Sequence, residues 1–337
     1  MPPEVSFIFG GISTESDSSI SSLEHIISSY LAIPDAERPF SVKHIYYVSR
    51  EDCLVRTIQL HSAFTISELR SYISDTGVRP GRTLLCALDE IQSRKEYVVN
   101  LLHGQFGEDG GVQTLAALLG LRGTFGDPYV ASLTMNKYAM SSFVSSLLPN
   151  EVVKVPRTSL IKSQNVIDKM QIAKSLQGPI VVKPNSLGSS LFTDLFHDPA
   201  ISEADIVALL RAILEYDSAA LLQEFIHGSE YSCGCIINSL GVTVLPVVKI
   251  ETERRFFGRN EKCSGDMVRL KIVDCGDVIS NRIKSIVVRI ASLLTFITSL
   301  DLISELTMPR GFGFWNAIIF QGLGMVIFFQ QCLKATV

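Results

Sequence analysis

NLLHGQFGEDGGVQ (Asn100–Gln113) and VVKPNSLGSSLF (Val181–Phe192) are the two stretches on which the reading of this chain turns. In the first, a short apolar run feeds a glycine-rich turn carrying His103, Glu108 and Asp109. In the second, an apolar run ends in Lys183-Pro184 and opens into the Gly188-Ser189-Ser190 loop. Glycine lets backbone come close to an anion, so N–H groups and serine hydroxyls of the second stretch can cradle phosphates. The first turn can hold a small charged molecule. Together they predict an enzyme that spends ATP on a small polar substrate.

The rest of the composition narrows the class. At 337 residues the chain is long enough for two or three packed domains. A net charge of −4 and a pI near 5.9 argue against a nucleic-acid partner, which needs clustered Lys and Arg. The cysteines (Cys53, Cys86, Cys233, Cys235, Cys263, Cys275 and Cys332) are odd in number and form no CxxC pair. They predict neither a disulfide framework nor a zinc site, but a reducing cytoplasm. Met1–Gly11 has no basic leader region and predicts no signal peptide.

Elements alternate along the chain. Val5–Phe9 reads as a buried strand stopping at Gly10-Gly11, and Ser18–Leu31 as a helix with Ile20, Leu23, Ile27 and Leu31 near helical spacing. Strand, glycine turn and helix open an α/β domain whose ligand crevice lies at the carboxyl end of the strand. His44–Val48, Tyr97–Leu102, Ile180–Lys183, Ala220–Glu224, Cys233–Asn238 and Val242–Val248 are further strands. Val112–Leu121, Lys137–Leu148 and Ser202–Tyr216 are helices, and the polar span 251–268 predicts a mobile loop. The class is α/β.

Five stretches in order resemble the D-alanine–D-alanine ligases of the ATP-grasp superfamily: GGISTESDSSISS (Gly10–Ser22), LHGQFGEDGGVQ (Leu102–Gln113), ASLTMNK (Ala131–Lys137), VVKPNSLGSS, and QEFIHGSEYS (Gln223–Ser232). The resemblance implies an N-terminal doubly wound α/β domain over 1–125. An ATP-grasp fold follows, its central subdomain at 126–215 and its C-terminal subdomain at 216–337, with disruption after about 275. It implies that ATP phosphorylates one D-alanine and a second attacks the acyl phosphate, with Mg2+ or Mn2+ assisting, for peptidoglycan precursor synthesis. A homodimer without membrane attachment is also implied.

The resemblance assigns residues. Glu15 would hold the ammonium of the first D-alanine, with Ser19 and His103 beside it. Lys137 and Lys183 would reach ATP phosphates, and Gly188, Ser189 and Ser190 form the phosphate loop, Ser189 also serving the catalytic set with Glu15. Gln223 and Ile226 would flank the adenine hinge, Glu230 would bind the ribose, and Lys262 would reach the phosphates from the loop. Two positions depart from the family. Leu191-Phe192 stands where a further glycine is usual, which predicts a stiffer loop. Cys263 replaces the usual loop tyrosine, which leaves D-alanine, D-lactate and D-serine open as second substrate.

The end of the chain departs further. The family holds magnesium through Arg-Ile-Asp and then Glu-x-Asn-x-x-Pro-Gly, hard oxygen ligands suited to that ion. Ile303–Met325 reads ISELTMPRGFGFWNAIIFQGLGM, with Glu305 as its only acid. No metal ligand is therefore assigned. Reading the codons one base earlier restores the pattern. Trp315 into Asn316 forces Glu, Phe314 into Trp315 forces Leu, and the following junctions allow Asn, Pro and Gly at the family spacing. Ser304 to Thr307 allows Arg, Ile or Val, and Asp. The uncharged run Gly311–Leu333 thus reads as out-of-frame translation, against a membrane anchor on length alone. Three readings follow: a ligase, a catalytically dead remnant lacking the magnesium ligands, and a membrane-tethered relative.

Overall fold

The computed structural model describes residues 3–61, 63–75, 79–162, 178–238, 241–252 and 268–297. The chain divides into two compact units, Met1–Ser132 and Leu133–Val337. The predicted domain edge at 125/126 falls a few residues before this division, which lies within one helix, Pro128–Met135.

In the first unit, β1 (Glu4–Gly10) is buried along almost its whole length, as a central parallel strand must be. Around it lie β2 (Ser41–Val48), β3 (Val55–Ile58), β4 (Tyr97–Asn100) and β5 (Arg122–Gly123) in the order β3-β2-β1-β4-β5. Only β3 runs antiparallel. Helices α1 (Ser16–Leu31), α2 (Ile66–Ser74), α3 (Leu84–Ser93) and α4 (Gly111–Leu119) complete the unit. Ile8, Tyr46, Leu88, Ile91, Val98 and Val112 form its core. Strand β4 stops two residues short of the predicted Leu102. Asn100 turns the chain there: its side chain accepts from Leu102 N (3.2 Å) and donates to Gly107 O (3.1 Å).

In the second unit, α5 (Pro128–Met135), which crosses the division, and α6 (Lys137–Leu147) lead to β6 (Thr158–Ile161), β7 (Ile180–Pro184), β8 (Asp194–Phe196) and, after α7 (Glu203–Tyr216), β9 (Ala220–Glu224). These strands form an antiparallel sheet ordered β6-β9-β7-β8. The predicted subdomain edge at 215/216 cuts this sheet, because β9 lies beyond it yet pairs with both β6 and β7. Ile206, Leu210 and Ile213, at helical spacing on α7, pack on Ile180, Val182, Ala220 and Leu222. Burial of each such side chain stabilises by about 2 kcal/mol.

Further on lie β10 (Glu230–Ser232), β11 (Cys235–Asn238), β12 (Gly241–Val244), β13 (Val248–Thr252), β14 (Val268–Ile272) and α8 (Val278–Ile297). The single strand predicted over Val242–Val248 is thus two, broken around Pro246, which has no N–H to give a ladder. β10, β13 and β14 form one sheet and β11 and β12 a hairpin. The order persists past the expected break at 275: α8 buries Ile283, Ile286, Val287, Ile290 and Leu294. The predicted loop at 251–268 lies mostly outside the described residues, and so does the whole uncharged run Gly311–Leu333. Among the described residues, no helix is long and apolar enough to cross a membrane.

Candidate active site

The first unit places its polar residues where β1 and β4 end. Leaving β1, Gly10 has a φ of +89° and Gly11 a φ of +97°, so the chain reverses into α1 with Glu15 at its N-cap position. Glu15 is 4 % exposed. Its backbone N–H donates to Ser13 Oγ (3.0 Å), and Ser13 Oγ donates to His103 O (2.7 Å). Glu15, His103 and Glu108 bring one ligand atom each within 4.8 Å of one another. Glu108 Oε2 also accepts from Gly104 N (2.8 Å), and a Cβ on Gly104 would press on Glu15 Oε1 and Ser13 Oγ. Burial holds the His103 imidazole below its ordinary range, against the opposing pull of the Glu15 carboxylate. Two carboxylates beside an imidazole that resists protonation suit a cation such as an ammonium.

Ser19, expected beside the substrate, is built into the fold through its hydroxyl. Its hydroxyl accepts from Gly10 N (2.8 Å) and donates to Leu101 O (2.6 Å). The one proton it can give is spent tying the two strand ends together. Ser13 was not singled out from the sequence, and Glu108 was named in its turn without a role. Both stand inside the quoted motifs, and their role became visible only once the two turns were brought side by side.

The second unit gathers buried cations around its loop. Lys183, 3 % exposed, ends the apolar run of β7 and donates to Gln223 Oε1 (2.9 Å). Gln223 in turn donates to Thr158 Oγ1 (2.9 Å). Lys137, also buried, donates to Leu187 O (2.6 Å) and Asn185 O (3.3 Å), at the root of the Gly188–Ser190 loop. The loop is left-handed at Ser189 (φ +51°), Ser190 (φ +53°) and Phe192 (φ +50°). Asn185 and Asp217, which sequence reasoning passed over, anchor it. Asn185 Oδ1 accepts from Tyr138 N (3.0 Å), and Asp217 Oδ2 accepts from Ser186 N.

Gln223 stands one residue before the end of β9. It pairs with Thr158 on one side and Val181 on the other. Its contribution is the side chain that holds Lys183. Ile226 stands beyond the end of β9, half-buried, and Glu230 is buried at the start of β10. Lys262 and Cys263 lie outside the described residues.

A buried ammonium at the root of a loop of small residues, with a second buried ammonium on β7, fits a polyphosphate. A divalent metal finds no such match. Among the described residues the Glu15–His103–Glu108 group is the one cluster that could hold an ion, and its imidazole is ill matched to magnesium, which prefers oxygen.

The chain is similar to known proteins in sequence and in fold. A family model described as D-ala D-ala ligase C-terminus matches residues 150–299, reaching past the expected break at 275. A D-alanine–D-alanine ligase of Porphyromonas gingivalis is 26 % identical over 292 residues, covering 87 % of this chain and 80 % of that protein. The D-alanine–D-alanine ligase of Helicobacter pylori superposes with a TM-score of 0.63 at 18 % identity, covering 87 % of this chain and 83 % of its own. The VanG D-Ala:D-Ser ligase of Enterococcus faecalis superposes with a TM-score of 0.61 at 21 % identity and the same coverage. The two structures share the α/β fold, and the chain is similar to D-alanine–D-alanine ligases along most of its length.

Proposed function

We propose that this chain is built for ATP-dependent ligation of two D-alanines. One carboxylate oxygen of the first D-alanine takes the γ-phosphoryl group and ADP leaves. The amine of the second attacks the acyl carbon, releasing phosphate and a proton and giving D-alanyl-D-alanine. The observation that carries this reading is the Lys137 ammonium on Leu187 O, fixing a buried cation at the root of a Gly-Ser-Ser loop. Lys137 and Lys183 bind and neutralise phosphate oxygens, and Ser189 and Ser190 orient them. Glu15, supported by His103 and Glu108, holds the ammonium of the first D-alanine, so that its carboxylate is presented to the phosphate.

Magnesium would neutralise the transferring group in this chemistry. The described residues do not suit it, and Ile303–Met325 lacks the family's ligands, so no step is assigned through it. The same departure sets the test. Phosphate release is measured with D-alanine, ATP and magnesium, for the chain as it stands and for one restored to the earlier-base frame over Ser304–Gly322. The restored chain should turn over at about 1–1000 per second, and the chain as it stands more slowly by about a thousandfold or more. Silence in the restored chain overturns the ligase reading. Equal turnover in both overturns the frame reading.

Homodimerisation, a cytoplasmic location and D-alanine as second substrate are part of the same proposal. The free, exposed thiols of Cys53, Cys86 and Cys275 suit a reducing compartment. Sedimentation would test the dimer. Comparing kcat/KM for D-alanine, D-serine and D-lactate would test the second substrate.

A further inference from the structure

The Gly188–Thr193 segment is two overlapping turns. Leu191 N donates to Gly188 O (3.1 Å), and Thr193 N donates to Ser190 O (3.3 Å). In the second turn Phe192 occupies the third position with a φ of +50°, the place and sign of dihedral for which chains ordinarily use glycine. A bulky aromatic residue keeps such a conformation only where its surroundings hold it there. Here the surroundings are visible. The Phe192 ring stacks on Tyr216, centroids 5.2 Å apart and planes 19° from parallel, and packs against the core formed by β7, β9 and α7. Leu191 beside it is buried. Ser189 and Ser190, also left-handed, lie directly upstream, so the backbone that carries their N–H groups is fixed from one side by the Phe192 ring.

We propose that Phe192 is a positioning residue for the nucleotide phosphates. Its stack on Tyr216 locks the Gly188–Thr193 turns in the left-handed form before ATP arrives. A glycine at this position would leave the segment to be ordered at binding, and ordering weakens affinity. The stack thus does through side-chain packing what a glycine loop does through freedom and subsequent closure. This inference rests on the ATP-binding reading of the loop.

Titration calorimetry with ATP and magnesium on the full chain tests it, together with amide hydrogen exchange over residues 188–193. Tyr216→Ala removes the stack without altering the loop sequence. It should weaken ATP binding about fivefold, the scale of an aromatic pair, and speed exchange in the loop. Tyr216→Phe, which keeps the ring, should restore both. Phe192→Gly should lose affinity to a similar degree although it relieves the backbone. Each of these results supports the proposal. ATP affinity and loop exchange untouched by Tyr216→Ala, or affinity improved by Phe192→Gly, overturn it and leave the nucleotide reading standing. A chain with intact Phe192 and Tyr216 that binds no ATP overturns the nucleotide reading and this proposal with it. A fall in affinity that Tyr216→Phe does not repair assigns Tyr216 a different role and also overturns it.

Discussion

Two turns of this molecule reach the left-handed region by opposite means. In the first unit the turns that leave β1 and enter α4 use glycine, Gly10 at φ +89° and Gly110 at φ +99°, although Cys53, Lys95 and Phe106 elsewhere in that unit are left-handed too. In the second unit the phosphate loop uses Ser189, Ser190 and Phe192. The glycines are required twice over, by dihedral and by crowding. A Cβ on Gly10 would collide with Val48 O and the Tyr47 ring, and one on Gly110 with Ser132 Oγ and Pro128 O. The loop of the second unit has no such local excuse, and its shape is imposed by the core it rests on. A glycine turn is thus specified where it stands, whereas a turn of ordinary residues is specified by what packs against it.

The sharpest way to break the contrast is Gly10→Ala. The added methyl meets backbone on one side and a left-handed dihedral on the other, so the first unit should lose about 2–5 kcal/mol in denaturant unfolding. A loss under about 1 kcal/mol would show that the turn can re-form without glycine.

The second contrast is between the ligands of the two units. In the frame-restored enzyme, Glu15→Gln and Lys183→Ala should each lower kcat/KM by about a hundredfold. The first should appear in the KM for D-alanine and the second in the KM for ATP. Steady-state kinetics with each substrate varied would show it, and an exchange of the two signatures would reverse the assignment.

The smallest expected effect is a pH dependence confined to the first unit. Burial keeps His103 below its ordinary value of 6.5. The unfolded chain therefore takes up a proton near pH 6.5 that the folded chain accepts only at lower pH. Stability from this group is complete above pH 6.5 and declines as pH falls below it towards the folded value. Thermal unfolding between pH 7.5 and 5, the range in which an ordinary histidine titrates, should show this decline. His103→Gln should flatten it, and an unchanged slope would remove His103 as its source.

Elements with a strong local signal were legible without coordinates. The apolar run before Gly10-Gly11 became β1, Ile180–Lys183 became β7 with Pro184 added, and Ala220–Glu224 became β9 with its predicted ends. Short edge elements were not. Strands β5 and β8, of two and three residues, owe their existence to a neighbour that supplies their hydrogen bonds, a long-range fact. Helix α8 was hidden in a different way: its apolar stripe Ile283, Ile286, Val287, Ile290 and Leu294 is regular, but the departures that follow it drew the expected break forward to 275.

For the site, residue type and spacing marked His103, Lys183 and the Gly-Ser-Ser loop, because charge beside a glycine turn at a strand end is a local pattern, whereas Glu15 and Lys137 were named through the resemblance to D-alanine–D-alanine ligases. Only tertiary structure decided what each side chain does there. Ser19 spends its proton on Leu101 O, and the Gln223 side chain supports Lys183. Glu108 joins Glu15 and His103, and Phe192 lies on Tyr216. A donor or a ring acquires its partner across tens of residues of chain, and that choice is settled by packing, which no local pattern records.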